Sequence, residues 1–123
     1  MRTHEGKTVF EDEAVALNVF LLVRQDPRTL AAVLMPDQLH WVLCGVPDLA
    51  MEMMRFKRHA SARARSAGYE GKVWQRSFFE AAISGPEALP PLVPYLLVNP
   101  IAAGIVAKWQ DYPWAFLHSS LGG

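Results

Sequence analysis

A chain of 123 residues in which 51% of side chains are hydrophobic and 20% charged has room for one core and too much apolar content for a disordered segment. Twelve Lys and Arg balance twelve Asp and Glu, which excludes a protein that holds nucleic acid by bulk charge alone. The longest apolar run, 14–23, is broken by Asn18 and reaches only about half of the roughly 20 residues that a membrane helix requires.

The N-terminal Met-Arg-Thr-His-Glu-Gly-Lys lacks the apolar centre of a secretory signal, and the one cysteine, Cys44, has no disulfide partner. A single domain, 1–123, in a reducing cytoplasm is the expectation. Glu11, Asp12 and Glu13 precede an apolar run, where carboxylates complement the positive end of a helix, so the first helix is expected over Glu11 to Arg24 with Pro27 just beyond. It is apolar on most of its circumference, as a helix pressed against a sheet would be. Leu30 to Met35 and Gln38 to Cys44, separated by Pro36-Asp37, read as neighbouring antiparallel strands. Alternation puts Gln38, His40, Val42 and Cys44 on one face of the second strand and Leu39, Trp41 and Leu43 on the other.

Asp48 is placed to cap a helix running to about Ser66, with Leu49, Met53, Phe56, Ala60 and Ala64 on its apolar stripe and Arg55, Arg58, His59 and Arg63 turned outward on one solvated face. Between Arg55 and Arg76 seven bases (Arg55, Lys57, Arg58, Arg63, Arg65, Lys72 and Arg76) stand against one acid, Glu70. Such a surface neutralises phosphates whatever their sequence, and a merely solvated helix face is its alternative. Gly68 to Gly71 is a turn; Val73 to Phe79 is a short strand or an extended segment. The prolines at 86, 90, 91 and 94 put the start of a helix carrying Tyr95 at Pro91 at the earliest, or at Pro94, and Asn99-Pro100 ends or bends it. No periodicity marks an element between Ile101 and Gly123.

Three groupings carry chemistry. Gln38 and His40, two apart on a strand face, have the spacing by which two side chains reach one divalent cation; a hydrogen-bonded histidine beside Trp41 is the alternative. Tyr95 and Asn99, four apart on a helix, place a phenol beside a carboxamide, or else Tyr95 packs its ring into the sheet. Trp74, Trp109 and Trp114 are either base-stacking platforms or core residues.

The order Met35-Pro36-Asp37-Gln38-Leu39-His40-Trp41, Phe56-Lys57, Gly71-Lys72-Val73-Trp74-Gln75-Arg76-Ser77-Phe78, Tyr95-Leu96-Leu97-Val98-Asn99-Pro100 through Ala103-Gly104-Ile105-Val106, and Asp111-Tyr112-Pro113-Trp114 resembles the single-tyrosine HUH transposases, in their REP-associated branch. The resemblance runs from about Val9 to Trp114. It implies an α+β fold, a small antiparallel sheet flanked by helices in ferredoxin-like topology, and a partner that is a single-stranded DNA hairpin bound by a monomer or homodimer. It also implies Mg²⁺ or Mn²⁺ as cofactor, Tyr95 as the nucleophile that forms a 5′-phosphotyrosyl link, and His40, Asn99 and Gln38 at the metal. The departures from the pattern are specific. Gln38 stands where the family has the first histidine of its pair, Ala102 where it has arginine, Pro94 abuts the tyrosine, and only eight residues precede Val9, too few for the family's first strand. A carboxamide oxygen is a poorer ligand than imidazole for most divalent metals, so metal affinity is expected to fall and cleavage to be impaired; a catalytically inactive hairpin-binding remnant is the alternative.

Overall fold

The computed structural model describes residues 1–75 and 89–118, with side chains at 89–92 left aside. The expected α+β architecture is what forms: a three-stranded antiparallel sheet with helices on both faces. Helix α1 spans Glu13–Arg24, strand β1 Thr29–Met35, strand β2 Gln38–Leu43 and helix α2 Leu49–Ser66. Helix α3 follows at Leu89–Leu97, a single turn α4 at Asn99–Ala102, and strand β3 at Ala115–Leu117.

Strand β1 lies at the centre, in the order β2-β1-β3, and all of its residues but Leu30 are buried. Its side chains serve two cores. Ala32 and Leu34, with Leu39 of β2, meet Val15, Val19 and Phe20 of α1 and Phe56, Ala60 and Ala64 of α2. Ala31, Val33 and Met35, with Val42 of β2, meet Val93, Leu96 and Leu97 of α3. Alanines at the crossing points let helix and strand backbones approach, and each larger apolar side chain withdrawn from water contributes roughly 1.5–3 kcal/mol.

The helix ends follow local chemistry. Asp12 caps α1 by accepting from the amides of Ala14 and Val15 at 2.9 and 3.2 Å, which starts that helix two residues later than Glu11; Val9–Glu11 forms a separate 3₁₀ turn. Asp48 caps α2 by accepting from Met51 N at 3.1 Å, as expected. Beyond Ser66, Gly68 N donates to Arg65 O at 3.0 Å and Tyr69 N to Ala64 O at 2.9 Å, the double closure of a Schellman end, with Gly68 at φ 103° where only glycine sits without strain. The same closure ends α4, where Gly104 N donates to Ile101 O and Ile105 N to Pro100 O, both at 3.0 Å. This gives the Ala103-Gly104-Ile105 run a structural reason.

Two expectations change. Helix α3 begins at Leu89, not at Pro91 or Pro94, so Pro94 lies inside it and withholds one amide from its ladder. Strand β3 emerges from the segment that showed no pattern, because three residues are too few to display an alternation. The sheet edge beside β2 is covered along its first residues: Thr3 N donates to Asp37 O at 3.0 Å and Leu39 N to Met1 O at 2.7 Å, so Met1 to Thr3 run antiparallel to the start of β2. Beyond them Val73 to Gln75 pair in turn with Arg2 to His4, which settles that part of the segment as extended; Arg76 to Phe79 lie outside the described residues.

Candidate functional site

Gln38 and His40 share the β2 face that looks toward α3, because Leu39 and Trp41 turn the other way into the core under α1 and α2. The face division expected from alternation is therefore the one observed. His40 is half-buried, and its Nε2 is enclosed with no hydrogen-bond partner among the described residues. Burial is the first cause that lowers its pKa from the ordinary 6.5, joined by the positive Met1 terminus and Arg2 and opposed by Asp37. The imidazole is thus held neutral, the form that coordinates a cation or accepts a proton.

Tyr95 lies on α3 away from its buried residues Val93, Leu96 and Leu97, and its side chain is 75% exposed. The ring does not pack into the sheet. A solvent-open phenol is reachable by a large substrate, but no hydrogen bond or ring contact among the described residues joins it to Gln38 or His40. The carboxamide of Asn99 does not meet the phenol either. Its Nδ2 donates to the backbone carbonyls of Tyr95 at 3.1 Å and Leu96 at 3.0 Å. The reason is Pro100: lacking an amide hydrogen, it cannot serve the Leu96 carbonyl four residues back, and Asn99 substitutes for it at the joint between α3 and α4. Two carbonyl acceptors require the NH₂ group to face them, which leaves Oδ1 as the group Asn99 presents outward. Ala102 is exposed on the turn that follows.

The bases of α2 do not form one face. Its buried stripe is Met53, Phe56, Ala60 and Ala64. At 3.6 residues per turn Lys57 and Arg63 flank that stripe on opposite sides, while Arg58 and Arg65 point straight out from it. Arg55, Arg58, Arg63, Arg65 and Lys72 are exposed. Arg55 stands 3.6 Å from Glu52, whereas Arg58, Arg63, Arg65 and Lys72 have no carboxylate partner among the described residues. Lys57 is half-buried and donates to Gln75 O at 3.2 Å; burial first, then the charge of Lys72, lowers its pKa. Arg76 lies outside the described residues. The bases of α2 sit with it on the sheet face opposite to the one carrying Gln38, His40 and α3.

Trp74 is not a stacking platform. It is 4% exposed and packed between Phe10 and Phe56, at centroid distances of 5.5 and 6.0 Å. Trp114 meets Phe20 edge-on at 6.1 Å, and Trp109 is half-buried against the core under α3. Sequence reasoning missed two features. Arg28 bridges Asp26 and Glu52, at 2.7 and 3.0 Å, and ties the start of β1 to the first turn of α2. Arg2 pairs across the strand edge with Gln38, a register that no local pattern in residues 1–8 announces.

Among the described residues no three His, Cys, Asp or Glu side chains gather as a metal site. The cation implied by the resemblance has to be tested on neutral donors. By donor chemistry the orphaned imidazole nitrogen of His40, the oxygen of Gln38 on the same strand face and the outward Oδ1 of Asn99 fit a divalent cation, although no contact among the described residues joins Asn99 to the other two.

No family model and no curated protein matches the sequence. Among solved structures, the chain is similar to a REP-associated tyrosine transposase bound to a REP hairpin, with a TM-score of 0.67 and 21% identity over 99% of this chain and 78% of that one. The two share a fold. No described helix is long and apolar enough to cross a membrane.

Proposed function

We propose that this chain binds a single-stranded DNA hairpin and cleaves and transfers its strand by transesterification, with Tyr95 as nucleophile. The observation that carries the reading is the fold held in common, along nearly the whole chain, with a transposase that grips a hairpin. Arg58, Arg63, Arg65 and Lys72, which have no carboxylate partner among the described residues, together with Arg55, Lys57 and Arg76, supply the phosphate-neutralising surface. Tyr95 Oη attacks the scissile phosphorus and the bond to the 3′-oxygen breaks. The phenol loses one proton and the departing oxygen gains one, which leaves a 5′-phosphotyrosyl link and a free 3′-hydroxyl. His40, Gln38 and Asn99 are the residues that would hold Mg²⁺ or Mn²⁺, which when bound would supply Lewis-acid chemistry at the phosphate.

A second reading keeps the hairpin and drops the cleavage. It is favoured by Gln38 in place of an imidazole and by the absence, among the described residues, of any hydrogen bond or ring contact between the Tyr95 side chain and His40. The test is incubation with 5′- and 3′-labelled hairpin strands in Mn²⁺, read as a covalent protein–DNA adduct on a denaturing gel. An adduct lost in Tyr95→Phe is the result expected of the enzyme. No adduct from the native chain, but one from Gln38→His, identifies a hairpin binder disabled at its metal site.

A further inference from the structure

We propose that Arg2 holds a phosphate oxygen of the DNA strand on the β2 face that carries Gln38 and His40. The inference rests on the hairpin reading for its ligand, but its geometry is independent of it. Thr3 N to Asp37 O and Leu39 N to Met1 O flank the pair Arg2 and Gln38, which makes it a non-hydrogen-bonded antiparallel pair, the kind whose side chains approach most closely and share a face. The neighbouring residue confirms the direction. Thr3 is fully buried opposite Trp74, on the side of α1 and α2, so Arg2 must emerge on the other side.

Arg2 is exposed, and no carboxylate among the described residues pairs with it. Its charge is felt at His40, whose buried Nε2 has no partner. A guanidinium with no carboxylate partner among the described residues, on the strand face of Gln38 and His40, makes a site for a tetrahedral oxyanion: its fork matches two phosphate oxygens. The α2 bases stand on the opposite side of the sheet, so Arg2, with the Met1 ammonium that also acts on His40, supplies positive charge on this face.

The experiment follows the assigned His40 ring resonances by NMR while inorganic phosphate, and separately the oligonucleotide d(T)4, is titrated into the native chain, Arg2→Gln and Arg2→Lys. Saturable shifts at His40 with both ligands are expected, with affinity for d(T)4 falling roughly tenfold in Arg2→Gln and partly retained in Arg2→Lys. A response to phosphate that d(T)4 does not reproduce overturns the assignment to a DNA strand. Equal affinity in native and Arg2→Gln, or no shift at His40, overturns the site itself. Hairpin binding is measured in parallel: if it persists while Arg2 is inert, only this inference fails, and if Arg2-dependent shifts occur without hairpin binding, the proposed function fails and the oxyanion site stands. Because Arg2 is exposed, unchanged thermal unfolding of both variants separates lost contact from lost fold.

Discussion

At the scale of single residues, the account turns on His40 and Asn99. His40 is half-buried with its Nε2 enclosed, which favours the neutral form, so its folded pKa lies below the ordinary 6.5 and the unfolded chain binds the extra proton first. Its contribution to stability is complete above 6.5 and is lost as pH falls through the folded value. Urea unfolding followed between pH 7.5 and 5 therefore shows a decline on acidification, and His40→Gln flattens it; an equal decline in the variant contradicts the assignment. Asn99 is predicted from its two bonds to be a positioning residue for the segment that carries Tyr95. Asn99→Asp sets a carboxylate oxygen against two carbonyls and costs about 1–3 kcal/mol in chemical denaturation, more than Asn99→Ala. The sequence placed Asn99 correctly beside Tyr95 along the chain, but not the direction of its amide. That direction depends on the carbonyl that Pro100 leaves without a donor, a consequence visible only once α3 is seen to run into the joint.

Among elements, legibility tracked length and chemistry. The 18 residues of α2 have a capping aspartate, a regular apolar stripe and a glycine stop, and each signal gave the observed boundary. Helix α3 was harder because four prolines spoke against it, yet Pro90 and Pro91 lie in its first turn, where the missing amides have no helical partner to lose. Strand β3 and the Met1–Thr3 pairing are three residues each and owe their form to β1 and β2, so tertiary contact rather than local pattern defines them. Two predictions belong here. Gly68→Ala meets open space at its Cβ but keeps φ 103°, so it destabilises by about 1–2 kcal/mol through backbone strain alone, as a lowered urea midpoint. Arg28→Gln removes the bridge from Asp26 to Glu52 and, being only partly shielded from solvent, costs about 1–2 kcal/mol, an effect that shrinks in high salt.

For the whole molecule, the consequential feature is the division of charge and chemistry between the two faces of one thin sheet. Helix α2 carries the bases on one side; Gln38, His40, α3 and Tyr95 stand on the other. A straight single strand lying on α2 would not touch both, whereas the proposed hairpin, with its stem on α2 and its unpaired strand crossing the edge where Val73 to Gln75 pair outside Arg2 to His4, would. The fold was legible in the sequence through ordered motifs, but this separation was not, because a motif fixes a residue's place in the chain and not the side of the sheet from which it is served. The direct measurement is equilibrium binding, by fluorescence anisotropy, of a hairpin with a single-stranded extension and of a plain duplex of the same stem, across a series of salt concentrations. The account predicts preference for the extended hairpin, affinity that falls steeply with salt, and a log–log salt slope smaller by about 2 in Arg58→Gln/Arg65→Gln with thermal stability unchanged. Equal affinity for hairpin and duplex, or binding indifferent to salt, would contradict it.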